Sequence, residues 1–228
     1  MALYTISDLH LSLSSDKPMD IFRGWEGYVY KLKSNWLKTI TADDTVVIPG
    51  DISWEMRIKD TYADFKFIND LPGRKILMKG NHDLWWDSVT KMNRFFDEQG
   101  FEFEILHNNS ISYGDYALAG SRGWYFDDNS ADTQKILSRE AARVERSIID
   151  AEQMGKEVIL FLHYPPATLD GDCEPIMRVI KEHNIKKCYY GHIHHAGCAK
   201  AINGEYKGVY LRCVSCDVLG FSPLKIAE

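Results

Sequence analysis

Ile76-Leu77-Met78-Lys79-Gly80-Asn81-His82-Asp83 sets a short apolar run against a glycine and three side chains able to bind a metal or move a proton. A run this short, bounded by Gly or Pro, reads as a buried strand. The same arrangement recurs four more times. Leu3-Tyr4-Thr5-Ile6 leads into Asp8-Leu9-His10, and Val46-Val47-Ile48 leads into Gly50-Asp51. Val158-Ile159-Leu160-Phe161-Leu162 leads into His163, and Cys188-Tyr189-Tyr190 leads into Gly191-His192-Ile193-His194. In an open α/β sheet the carboxyl ends of the strands share one edge, and sites are built there. The five runs therefore predict an α/β fold that gathers carboxylates, an amide and imidazoles, the donors of a polynuclear metal site.

Helical periodicity fills the intervals. Trp25, Tyr28/Val29, Leu32, Trp36/Leu37 and Ile40 recur at i, i+3/i+4 spacing. Tyr62, Phe65 and Ile68 do so within 60–69, stopped by Pro72-Gly73, and Val89, Met92 and Phe95/Phe96 within 88–99, with Gly100 where a C-cap belongs. Strands alternating with helices imply βαβ units and a largely parallel sheet. The middle of the chain departs from that rhythm. Ile111-Ser112-Tyr113 and Tyr116-Ala117-Leu118-Ala119 flank Gly114-Asp115, a hairpin signal. A long amphipathic helix is expected over 133–154, and Asn203-Gly204 predicts a second hairpin turn before a strand over 208–214. Together these elements predict a single domain over 1–228, with two packed sheets of mixed direction and helices outside.

A chain of 228 residues suits one large α/β domain. No apolar run approaches the 18 or more residues of a membrane span, and no basic, cleavable leader is visible, so a cytoplasmic protein is expected. Five cysteines, an odd number, fit reduced thiols in that compartment. Cys213-Val214-Ser215-Cys216 has no second CxxC to accompany it and reads as two thiols at a strand end. The net charge of −6 argues against a general grip on nucleic acid, which needs a basic face. Two bound divalent cations would instead make the cleft locally positive and draw an anionic substrate to the metals.

Phosphoester hydrolysis must stabilise negative charge on phosphoryl oxygens and supply a nucleophile at neutral pH. Two cations about 3.5–4 Å apart can do both, and such a pair needs a shared anion, a place that Asp51 suits. Asp8 and His10, two apart, can project from one strand end and hold one metal. Asn81 offers a neutral oxygen, and His163, His192 and His194 offer nitrogen. A mixed N/O set favours Mn, Fe, Zn, Co or Ni over Mg or Ca. His10, His163 or Asp51 alone would read as a core histidine or a turn residue. Three imidazoles in 192–195 are harder to dismiss, because buried imidazoles need partners. His195 is expected outside the ligand set, and His107 and His183 on the surface.

Asp8-x-His10, Gly50-Asp51, Gly80-Asn81-His82-Asp83, His163 and Gly191-His192-x-His194 resemble the ordered motif set of the calcineurin-like metallophosphoesterases. Each motif alone is common; all five in order over positions 8–194 are specific. The resemblance implies a metallo-dependent phosphatase-like αββα sandwich and two divalent transition metal ions. Asp8, His10, Asp51 and His194 would hold the first, and Asp51, Asn81, His163 and His192 the second. His82 would protonate the leaving alkoxide or stabilise the phosphoryl oxygens, Asp83 would tune it, and metal-bound hydroxide would attack in line.

Phosphoprotein phosphatases of this superfamily carry Asp-Arg-Gly after the bridging Asp, where this chain has Ile52-Ser53-Trp54-Glu55-Met56-Arg57, and Asn-His-Glu where it has Asn81-His82-Asp83. These differences argue against a phosphoprotein substrate. Arg122, in Gly120-Ser121-Arg122-Gly123-Trp124, is a candidate phosphate contact, because a guanidinium fork matches phosphate oxygens. The expected activity is that of a phosphatase or phosphodiesterase on a small, nucleotide-like phosphoester. The competing expectations are a non-catalytic protein-binding scaffold of the same fold and a metal-dependent nuclease. The sequence leaves the oligomeric state open.

Overall fold

A computed structural model describes residues 1–124 and 131–228. From the N-terminus the elements are β1 (Leu3–Thr5), α1 (Tyr28–Thr39), β2 (Thr45–Ile48), α2 (Tyr62–Asn69), β3 (Arg74–Leu77), α3 (Val89–Gln99) and β4 (Phe103–Ile105). There follow β5 (Asn109–Tyr113), β6 (Tyr116–Ser121), α4 (Ala131–Glu152), β7 (Glu157–Leu162), the short pair β8 (Ala167–Thr168) and β9 (Gly171–Asp172), α5 (Glu174–Glu182), β10 (Lys187–Tyr190), β11 (Gly204–Tyr206), β12 (Val209–Cys213) and β13 (Leu224–Ala227). They form two compact units, Met1–Ile105 with Val214–Glu228, and Leu106–Cys213. The fold is α/β, with two mixed sheets and their helices, as the alternation of patterns predicts.

The first unit holds a five-stranded sheet in the order β13-β1-β2-β3-β4. β1 to β4 are parallel, and β13 closes the edge antiparallel to β1. Tyr4, Val46, Ile48 and Leu77 of the strands, with Ile6 just past β1, meet Leu32 and Trp36 of α1, Phe65 and Ile68 of α2, and Met92 and Phe96 of α3 in one core. Trp36 is fully buried and donates its indole N–H to the carbonyl of Pro72 at 3.0 Å. Burying a large apolar side chain contributes about 1.5–3 kcal/mol. Ser88 caps α3, and Gly100 ends it at φ 69°, where the sequence places a C-cap.

The second unit holds a six-stranded sheet in the order β11-β12-β10-β7-β6-β5. β6, β7, β10 and β12 run parallel, flanked by antiparallel β5 and β11. α4 lies against β5, β6 and β7 and packs on α5, which buries Ile176, Met177, Val179 and Ile180. The Gly114-Asp115 hairpin joins β5 to β6 as expected. The second hairpin differs from expectation. Asn203-Gly204 leads into β11, and the register Tyr206↔Val209 places the turn at Lys207-Gly208, both at positive φ (49° and 88°). Asn203 instead accepts the Cys213 N–H through its side-chain oxygen at 3.0 Å. Among the described residues no helix is long and apolar enough to cross a membrane.

Candidate metal centre

In the first unit β1 and β2 go on exchanging hydrogen bonds past their ends. Asp8 N–H donates to the Gly50 carbonyl, His10 to Asp51, Leu11 to Ile52, and Trp54 back to Leu11, all at 2.9 Å. This extension brings Asp8, His10 and Asp51 to one edge, buried at 0%, 3% and 1% exposure. Each sits in the left-handed region, at φ 60°, 45° and 51°. His192 of the second unit does too, at 71°. A non-glycine residue held there costs on the order of 1–3 kcal/mol, and such strain gathers at functional positions. Four of the seven expected ligands are strained in this way.

The donors are held from behind. Asp8 Oδ2 accepts the hydroxyls of Ser7 and, at 3.1 Å, of Ser215, while the Asp8 carbonyl accepts the Cys216 thiol at 2.9 Å. Asp51 Oδ1 accepts the His82 backbone N–H at 2.8 Å, and its Oδ2 lies 3.7 Å from His10 Nε2. Asp83, fully buried, has its oxygens turned to five N–H donors. Oδ2 accepts from Gly80 at 2.7 Å and Asp51 at 2.8 Å, and Oδ1 from Ile52 at 2.8 Å, the Trp85 indole at 2.9 Å and Ser53 at 3.3 Å. Burial pushes its carboxyl up to about 6 while these donors pull the other way. Asp83 is thus a strut between the Gly80 turn and the Asp51 turn. Gly80 is required for the same approach, because an added methyl would overlap the Asp51 carboxylate and backbone nitrogen. Asn81 and His82 sit half-buried on that turn.

In the second unit the donors also follow parallel strands. His163 comes directly after β7 and is fully buried, and Gly191-His192 comes directly after β10. Gly191 N–H donates to the His163 carbonyl at 3.0 Å. The His163 and His192 rings stand edge to face at 5.3 Å, and Tyr164 packs on both, at 5.2 Å and 4.1 Å. His192 and His194 are half-buried and His195 is exposed. Arg122 follows β6, and its carbonyl accepts the N–H of His163 at 3.2 Å and of Tyr164 at 3.0 Å. Its guanidinium lies 4.3 Å above the Trp124 ring. The phosphate-contact candidate therefore stands beside a ligand candidate at the carboxyl edge of this sheet.

The first unit thus offers carboxylates, an amide and one imidazole, and the second offers three imidazoles. Buried carboxylates of this kind are stable only when paired or ligating, and donors of these types suit divalent metal ions. Three supporting residues were not foreseen. Ser215 lies 207 positions from the aspartate it holds, a separation that no local pattern signals. Tyr164 and Trp54 carry a weak signal, as aromatics next to a ligand candidate and three residues after one.

The sequence model of the calcineurin-like phosphoesterases matches residues 1–196. The chain belongs to that family. No curated protein matches it. Three solved structures share the fold. The protein of unknown function AQ665 from Aquifex aeolicus is 16% identical at a TM-score of 0.54, over 98% of this chain and 95% of that one. Phosphopantetheinyl hydrolase (PptH) from Mycobacterium tuberculosis is 14% identical at 0.53, over 99% and 95%. TT1561 of Thermus thermophilus is 11% identical at 0.57, over 99% and 97%. At these identities the likeness is one of fold alone.

Proposed function

We propose that this chain is a metal-dependent phosphohydrolase that cleaves a small phosphomonoester or phosphodiester with a dinuclear centre, acting as one domain in the cytoplasm. The observation that carries the reading is the set of buried, left-handed donors Asp8, His10 and Asp51 in a member of a phosphoesterase family. By the order of the family's motifs, Asp8, His10, Asp51 and His194 would hold one cation, and Asp51, Asn81, His163 and His192 the other. When bound, two such ions neutralise charge on the phosphoryl oxygens and supply a nucleophile at neutral pH.

The chain's own groups supply the rest. Asp51 orients the His82 turn through its backbone N–H, leaving the imidazole to give a proton to the departing oxygen. Arg122 is proposed to take a phosphoryl oxygen, its side chain already braced on Trp124. A diester or nucleotide-type substrate is favoured over a dianionic monoester, because the sequence shows no cationic cluster beside the ligand motifs. A pure scaffold would need neither the full ligand set nor His82, and a nuclease would need a basic face that a chain of net charge −6 does not suggest.

The test is metal content per chain by mass spectrometry, with Mn²⁺-supported hydrolysis of bis-p-nitrophenyl phosphate and p-nitrophenyl phosphate. Two metals with EDTA-sensitive turnover are expected, faster on the diester. A folded sample that takes up no metal and turns over neither compound, after reconstitution with several metals, would put the scaffold reading first. Nicking of plasmid DNA with Mn²⁺ would favour the nuclease.

A further inference from the structure

Trp54 occupies an unusual position in the first unit. Its ring stacks on His10, with centroids 4.8 Å apart and planes 21° from parallel, and it also meets His82 at 4.4 Å and 54°. The two imidazoles are 5.5 Å apart, so one indole touches both a ligand candidate and the proton-donor candidate. The mount of the indole is rigid. Trp54 N–H donates to the Leu11 carbonyl at 2.9 Å, just beyond the Leu11↔Ser53 bridge, and Ser53 Oγ donates to buried Asp64 at 2.5 Å. On the outer side Lys17 donates to the Trp54 carbonyl at 3.2 Å, with its ammonium 5.8 Å from the ring centroid. Trp54 is half-buried and packs against the margin of the first unit's core, with its indole nitrogen buried, so its ring is held in place against the two imidazoles.

We propose that Trp54 is a positioning residue, whose ring sets the rotation of the His10 imidazole toward its metal and of the His82 imidazole toward the leaving oxygen. The inference rests on the phosphohydrolase reading and deepens it. An imidazole on a two-bond stem can rotate away from a ligating or proton-transfer geometry. A flat aromatic face removes that freedom, and groups that orient a metal ligand from outside are worth roughly 10–100-fold in metal affinity or activity. Trp54 touches both rings, so its removal should affect metal binding and turnover together, and leave substrate affinity alone.

The test uses the full chain as wild type, Trp54→Phe, Trp54→Leu and Trp54→Ala, with folding checked by near-UV circular dichroism. Mn²⁺ binding to the metal-free protein is measured by equilibrium dialysis, and kcat and KM on bis-p-nitrophenyl phosphate. Trp54→Leu and Trp54→Ala are expected to weaken Mn²⁺ binding and lower kcat, each by roughly 10-fold or more, with KM little changed. Trp54→Phe, which restores a flat face, should recover most of both. Trp54→Leu fills the space without a ring, so it decides the matter if Trp54→Ala does not fold. Wild-type values in Trp54→Leu, or a loss confined to KM, would overturn the inference alone. A wild type that binds no Mn²⁺ would overturn the phosphohydrolase reading, and this inference with it.

Discussion

The carboxylate of Asp83 accepts the backbone N–H of Asp51 at 2.8 Å, so the second aspartate carries the turn that presents the first. The same carboxylate binds Gly80, Ile52, Ser53 and the Trp85 indole. One fully buried side chain thus joins the ends of β2 and β3. The alignment of Asp51 with Asn81 and His82 depends on it.

Asp83→Asn keeps the size but puts an amide donor where two or three N–H groups already point. Each unsatisfied buried donor costs about 1–3 kcal/mol, and a loss of about 2–4 kcal/mol is expected. For a chain of this length that is a fall in Tm of roughly 5–15 °C, read by calorimetry on the metal-free protein. An unchanged Tm would refute the strut.

Gly80→Ala acts on the other side of that contact. The new methyl must displace the Asp51 carboxylate or its backbone, because both lie within overlap distance. Metal content should drop below that of wild type while the far-UV circular dichroism spectrum is kept. Full metal loading in Gly80→Ala would show that the two turns can separate freely.

Asp51→Asn and His82→Ala separate ligation from proton transfer. Asparagine tolerates the left-handed φ of 51° but cannot supply a charged bridge, so Asp51→Asn should lose activity and retain less metal. On the proposed mechanism His82→Ala should lower kcat by roughly 10²–10⁴-fold with metal content equal to that of wild type. Loss of metal in His82→Ala would contradict its assignment as proton donor.

Thiol titration tests burial. Cys198 is half-buried, whereas Cys173, Cys188, Cys213 and Cys216 are buried. Burial pushes the Cys173 thiol up to about 11, and Cys188 and Cys216 further. A raised pKa leaves the neutral thiol at pH 8, with about one part in a thousand as the reactive thiolate. A disulfide reagent should therefore label one equivalent per native chain at pH 8, and none in Cys198→Ser. Two or more fast equivalents would mean that the interior opens readily.

The sequence by itself determined the strand-to-donor grammar. Apolar runs of three to five residues ending at Asp8, Asp51, Asn81, His163 and His192 are local patterns, and each of these donors follows its strand. The Gly100 cap and the Gly114-Asp115 turn were legible for the same reason. Asn203-Gly204 misled because the turn is set by the β11–β12 register, which gives Lys207-Gly208 the two positive φ angles. The edge strand β13 was not foreseen, since four residues near the end of a chain carry little periodicity.

Only the tertiary structure decided how the donors are held. Ser215 reaches Asp8 across 207 positions, Asp83 turns to the backbone of Asp51, and Trp54 lies against His10 and His82. Aspartate and histidine enter the left-handed region more readily than most residues, but that Asp8, His10, Asp51 and His192 do so is imposed by the fold around them. A residue pattern records what a position prefers when its neighbours are unknown. Strain and long-range hydrogen bonds are what the rest of the fold imposes against that preference, so they become visible only once the chain has closed on itself.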